Sequence, residues 1–155
     1  MGFLTGKTAI ITGAGRAVLK DGSCGSIGYG IATAYAKEGA NLVITGRNIK
    51  KLEAAKQELE SLYGIKVLTV QADVCAGGNN EATVANVVKQ AVDTFGGIQV
   101  LINNAQASAS GVPLTEHTTE QFDLAIYSGL YAAFYYMKAC YPYLAESHGS
   151  VINFA

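Results

Sequence analysis

Residues 8–39 read TAIITGAGRAVLKDGSCGSIGYGIATAYAKEG. A short apolar run is followed by a long loop with glycines, and then by an amphipathic pattern that begins with small residues. That order predicts a strand, a loop and the opening of a helix. Backbone N–H groups gathered at a helix start, with glycines that let a ligand approach, form a site for a phosphate group. A plain turn is the alternative reading of the same loop. The G-x-G-x-x-G spacing is incomplete, because Gly13 and Gly15 are followed by Val18 at the third position. The helix is expected to begin near Ser26, so residues 17–24 form an insertion that either projects as a finger or folds down as a lid.

The same alternation continues along the chain. Strand 1 is expected over 7–12 (KTAIIT), and its unbroken apolar character suits a strand covered on both faces. Ile27, Ile31, Ala34 and Tyr35 follow at helical spacing up to Gly39, and 41–45 (NLVIT) is strand 2. The spacing predicts a helix over 49–63, strand 3 over 66–71, a polar break over 73–80 and a helix face from Val84 to Phe95. Strand 4 is expected over 99–102, a loop over 103–113, one helix capped by Thr118 or Thr119 and running through Lys138, and strand 5 over 149–154. Such a chain forms an α/β fold, a Rossmann-like doubly wound parallel sheet in the order 3-2-1-4-5. Residues 1–155 are read as one domain. Its fifth strand would be left as an apolar edge, so the natural chain is expected to continue and the sheet to be truncated after strand 5.

Composition narrows the function classes. The 155 residues carry 11 Lys and Arg against 12 Asp and Glu, a net charge of −1, which provides no long-range attraction for nucleic acid or an acidic membrane. The three cysteines are far apart and unpaired in pattern, which suits a reducing, cytoplasmic setting and no disulfide framework. The N-terminus lacks the basic start of a signal peptide, and no stretch approaches the apolar length of a membrane span. His117 and His148 are isolated, so no metal site is expected.

Four short motifs then occur in order at predicted strand ends or helix starts: TGAGR at 12–16, SIGYGIA at 26–32, ADV at 72–74 and NNA at 103–105. Together they resemble the short-chain dehydrogenase/reductase family over the whole chain. The resemblance implies a nicotinamide dinucleotide cofactor. It places Gly13, with Gly15 and Arg16 in the same loop, and the turn of Ser26, Ile27 and Gly28 around the pyrophosphate. It sets Asp73 and the backbone of Val74 at the adenine, and Asn104 and Ala105, followed by Gln106, along the ribose and strand 4. Asp73 can also be read as a turn former, and Asn103 and Asn104 as strand-end caps.

At the end of strand 2, Gly46 stands where an NAD enzyme would carry an acidic residue for the ribose hydroxyls, and Arg47 follows. A guanidinium there suits a 2′-phosphate, so NADP is expected, with NAD as the alternative; a solvated surface arginine is the plainer reading. Departures from the family pattern stand out as well. Ser26 stands where the family usually has a second glycine. Gln106 occupies a place where glycine is common, and the family's active-site Asn falls on Gly129, leaving that role vacant. The family's Ser would follow directly after strand 5, and its Tyr and Lys on the next helix, all beyond Ala155. No residue of this chain is therefore assigned a catalytic role, and the chain alone is expected to be inactive.

The resemblance implies, for the complete protein, interconversion of a secondary alcohol and a ketone, with bacterial hydroxysteroid dehydrogenases as the similar type and a small-molecule substrate. The resemblance also implies a homo-oligomer, dimer or tetramer, for the complete protein, in which the helix through Lys138 pairs with its twin, and the tyrosines between 127 and 143 suit such a surface. The competing reading is a non-catalytic dinucleotide-binding module or inactive remnant.

Overall fold

The computed structural model describes residues 2–75, 77 and 80–154. Five parallel strands form one sheet in the order β3-β2-β1-β4-β5. They are β1 (Thr8–Thr12), β2 (Asn41–Gly46), β3 (Val67–Gln71), β4 (Val100–Asn103) and β5 (Ser150–Asn153). Right-handed crossovers through helices are what a parallel order of this kind requires.

The strands are apolar throughout because both of their faces are covered. Ala9, Ile11, Leu42, Ile44, Val100 and Ile102 pack on one side with α1 (Ile27–Lys37) and α2 (Ile49–Tyr63). The alternate residues Ile10, Val43, Val70 and Leu101 pack on the other with α3 (Asn80–Phe95) and α5 (Ala132–Ser147). The two-residue period of a strand thus feeds two cores from one run. β1 lies at the centre, paired with β2 from Thr8↔Asn41 to Thr12↔Thr45 and with β4 from Ala9↔Val100 to Ile11↔Ile102. Thr12, Thr45 and Asn103 therefore finish side by side at one rim of the sheet. β5 is the edge strand, with Val151 and Ile152 about 40% exposed.

Local signals set the helix ends. The Ser26 side chain accepts from the Tyr29 N–H to open α1, and Asn48 does the same for Lys51 at α2. Gly64 ends α2 in the left-handed region at φ 66°. Thr118 and Gln121 form a reciprocal capping box at α4 (Thr119–Ala125).

The single helix expected through Lys138 is instead three segments: α4, a π-helical turn over Ile126–Tyr131, and α5. Its cause is local. The buried Ser128 hydroxyl lies 2.8 Å from the Leu124 carbonyl, four residues back, and also reaches the loop at Ala107. A hydroxyl that competes for the helix's own carbonyl loosens the α pattern, and the adjacent Gly129 adds no side chain to resist the wider turn. The polar break expected over 73–80 extends no further than Asn80, where α3 already begins; Ala76, Gly78 and Asn79 lie outside the described residues.

Candidate functional site

At the carboxyl rim, the loops after β1, β2, β3 and β4 enclose a cleft of about 230 Å³ lined by Gly13, Arg47, Val74, Asn104, Ala105 and Gln106 among others. A second depression of about 260 Å³ adjoins it, bounded by Gly13, Gly15, Ser26, Arg47 and Lys51. The two share Gly13, Gly46 and Arg47. The cleft lies where the strand order reverses between β1 and β4, the place where doubly wound sheets bind ligands.

Thr12 ties the two central loops together. Its hydroxyl oxygen accepts from the N–H groups of Asn104 and Ala105, each at 2.9 Å, while the Asn104 carboxamide donates to the Thr12 carbonyl at 2.9 Å. The chain leaving β4 is thereby fixed against the chain leaving β1. Sequence reading did not single out Thr12, because a threonine at the end of an apolar strand looks like ordinary β-propensity.

Gly13 turns the chain at φ 71°, in the region glycine tolerates best. Gly28 has a different reason. A Cβ there would overlap the Gly13 carbonyl oxygen and come within 2.6 Å of Asn104 Nδ2. The bare backbone at Gly28 is what lets the start of α1 rest against both loops. Tyr29 N–H is taken by the Ser26 side chain and Gly30 N–H by the Ser26 carbonyl. The N–H groups of Ile27 and Gly28 have no carbonyl one turn back to bond, so they remain available at the helix end.

Not every expected residue faces the cleft. The Arg16 guanidinium donates to the Glu58 carboxylate on α2, and the Arg16 backbone N–H donates to the Lys51 carbonyl at 2.8 Å. Glu58 in turn raises the Arg16 pKa, and Arg16 lowers that of Glu58. Tyr29 belongs to the same group; burial, with Glu58 beside it, pushes its pKa up to about 12. Arg16 thus fastens the glycine loop to α2. Ile27 is 64% exposed. Asp73 accepts from the Cys75 N–H at 2.9 Å, an Asx turn that shapes the loop after β3. Cys75 lines the cleft, and burial holds its thiol above the usual range, with Asp73 adding to the effect.

The insertion folds on itself. Val18 and Cys24 form an antiparallel bridge, Leu19 N–H donates to the Ser23 carbonyl, and Gly25 N–H donates to the Ala17 carbonyl at 2.7 Å. It is a small exposed hairpin, nearer to the finger than to the lid.

Arg47 sits at the junction of the two depressions, with its backbone carbonyl held by the Gln71 side chain at 2.8 Å. Lys51 is the other cation at that end, and none of the residues bordering the second depression is acidic. At the opposite end, the Ala107 N–H donates to Ser128 Oγ at 2.9 Å, fixing the loop after β4 to the π-helical turn. The described residues hold no cluster of His, Cys, Asp and Glu that could ligate a metal, and no helix among them is long and apolar enough to cross a membrane.

Residues 22–155 match the family described as enoyl-(acyl carrier protein) reductase. The chain belongs to the short-chain dehydrogenase/reductase family. Within that family it is 62% identical, over all of its 155 residues, to 57% of a 12alpha-hydroxysteroid dehydrogenase from Clostridium sp.. Among solved short-chain dehydrogenase/reductase structures, the L-sorbose reductase of Gluconobacter frateurii complexed with NADPH and L-sorbose superimposes with a TM-score of 0.81 at 29% identity, covering 97% of this chain and 52% of that one. An NAD+-bound xylitol dehydrogenase superimposes with a TM-score of 0.83 at 26% identity, covering 97% of this chain and 53% of that one. The chain thus spans little more than half the length of these relatives. The family resemblance and the order 3-2-1-4-5 expected from the sequence both hold.

Proposed function

We propose that this chain is the cofactor-binding portion of an NADP-dependent oxidoreductase that interconverts a secondary alcohol and a ketone, with a hydroxysteroid as the substrate class. The observation that carries the cofactor choice is the end of β2. Gly46 leaves open the position where a carboxylate would repel a 2′-phosphate, and Arg47 and Lys51 border the space beside it. A guanidinium–phosphate contact is charge-assisted and worth about 1.5–3 kcal/mol when well formed.

In this reading the pyrophosphate lies over Gly13 and Gly15, against Ser26 and the free N–H groups of Ile27 and Gly28. Gly28 and Arg16 act from behind, one by close packing and the other through Glu58. Val74 and the loop shaped by Asp73 flank the adenine. Asn104, Ala105 and Gln106 border the nicotinamide half. The cofactor, when bound, supplies the hydride; this chain's residues bind and orient it. The 62% identity to a 12alpha-hydroxysteroid dehydrogenase supports the steroid class. Tyr127, Tyr131 and Phe134 are all exposed, with the rings of Tyr127 and Tyr131 stacked at 5.1 Å, and they support self-association into a homo-oligomer of the full gene product.

The experiment is a pair of fluorescence titrations with NADPH and NADH, on the wild type and on Arg47→Ala. NADPH is expected to bind at least about tenfold tighter than NADH, and Arg47→Ala to weaken NADPH alone by about 10- to 100-fold. NADH binding as tight as NADPH overturns the assignment. Oxidation of 12α-hydroxy bile acids by the full gene product with NADP+ tests the substrate class, and no turnover on any secondary alcohol would favour the non-catalytic module.

A further inference from the structure

Two features left unexplained by the cofactor reading lie in contact. Gly129 sits within the π-helical turn, and a Cβ built on it would lie 3.4 Å from Nε2 and 3.7 Å from both Cδ and Cγ of Gln106. The Gln106 carboxamide therefore lies across the helix at the one residue of that turn that has no side chain. Gln106 also borders two spaces at once: the main cleft, and a small recess of about 10 Å³ shared with Asn103, Ser128, Gly129 and Phe154. A volume of that order is at the threshold for a single water molecule.

The polar groups around the recess differ in how far they are committed, and the buried Tyr136 hydroxyl, which also borders it, has no hydrogen-bond partner among the described residues. Ser128 Oγ is engaged with Ala107 and Leu124, and Asn103 donates to Asn153 Oδ1 at 2.8 Å. Of the residues that border both the cleft and the recess, Val74, Ala105 and Gln106, Gln106 is the one with a polar side chain, and its carboxamide, with both donors and acceptors, is positioned to hold an oxygen at their junction. Both positions are also departures from the family pattern, with glycine replaced by Gln106 on the loop and Asn replaced by Gly129 on the helix. One departure fills the space that the other leaves.

We propose that Gln106, seated on Gly129, is a positioning residue at the nicotinamide end of the cleft, where its carboxamide holds an oxygen beside the reacting centre. This rests on the cleft being the cofactor site proposed above. The oxygen belongs either to an ordered water in the recess or to the substrate's hydroxyl or carbonyl group. Both require the same donor–acceptor pair.

The test uses the full gene product with NADP(H) and a secondary-alcohol substrate. Gln106→Ala and Gln106→Gly are expected to lower kcat or kcat/KM for substrate by about 10- to 100-fold, while the NADPH dissociation constant and the melting temperature stay close to wild type. Gly129→Asn alone, which forces a second carboxamide into occupied space, is expected to be impaired. The double variant Q106G/G129N, which moves the carboxamide from loop to helix, is expected to recover at least about tenfold over Q106G. A shifted pH profile with unchanged substrate KM identifies the water; a raised substrate KM with an unchanged profile identifies the substrate oxygen. Kinetics of Q106A within about twofold of wild type, or a double variant no better than Q106G, overturns the proposal while leaving the cofactor reading intact. Failure of the wild type to bind either dinucleotide overturns both.

Discussion

The hydroxyl of Thr12 accepts from two consecutive backbone N–H groups, those of Asn104 and Ala105, each at 2.9 Å. One side chain at the end of the central strand thus holds the loop of its neighbour. Thr12→Val keeps the shape and removes the acceptor, leaving two donors at the rim of the cleft without their partner. The expected cost is about 1–3 kcal/mol in chemical unfolding, with weaker dinucleotide binding, and Thr12→Ser should retain both.

Gly28 and Gly30 are neighbours on the first turn of α1 with opposite tolerances. Gly28→Ala drives a methyl group into the Gly13 carbonyl and the Asn104 side chain, so a loss of about 1–3 kcal/mol and a marked fall in cofactor affinity are expected. At Gly30 the added methyl would meet only the Cys24 sulfur, at 3.2 Å. Alanine there gains helix propensity of up to about 1 kcal/mol, and Gly30→Ala should melt at or above the wild-type temperature.

Glu58 links the glycine loop to α2 through Arg16, with its carboxyl pKa lowered chiefly by that hydrogen bond and further by Tyr29. A carboxylate depressed in the folded state contributes stability above its unfolded pKa and loses it as pH falls through the folded value. Glu58→Gln should therefore melt about 1–2 °C below wild type at neutral pH, a small effect because the pair is partly exposed. The difference should close in melts run at progressively acidic pH; a gap that persists unchanged below the carboxylate range would show that the charge is not its source.

Ser128 joins the π-helical turn to the loop after β4. Ser128→Ala leaves the Ala107 N–H without its partner and returns the Leu124 carbonyl to the helix. A loss of about 1–3 kcal/mol is expected, with hydrogen exchange accelerated at Ala107.

The alternation of apolar runs and amphipathic stretches was enough to read the sheet, because the strands are set off by helix ends that carry their own local signals. Ser26, Asn48, Gly64 and Thr118 all act within a few residues of where they stand. The contacts that shape the site were harder to read because they join distant parts of the chain. Arg16 meets Glu58 across 42 positions, and Thr12 meets Asn104 across 92. The π-helical turn was illegible for the same reason: in isolation the stretch at 126–131 has an ordinary helical period, and it widens where Ser128 also has to satisfy Ala107.

That widened turn also sets a phase. One additional residue in a helix rotates everything after it by about 100° relative to what precedes it. Tyr136, Cys140 and Leu144, at successive four-residue steps of α5, face the core downstream of that offset. A chain lacking it would carry the same residues at the same spacing on a different side of the cylinder, so the turn that shapes the rim of the cleft also aligns the long helix beneath the sheet.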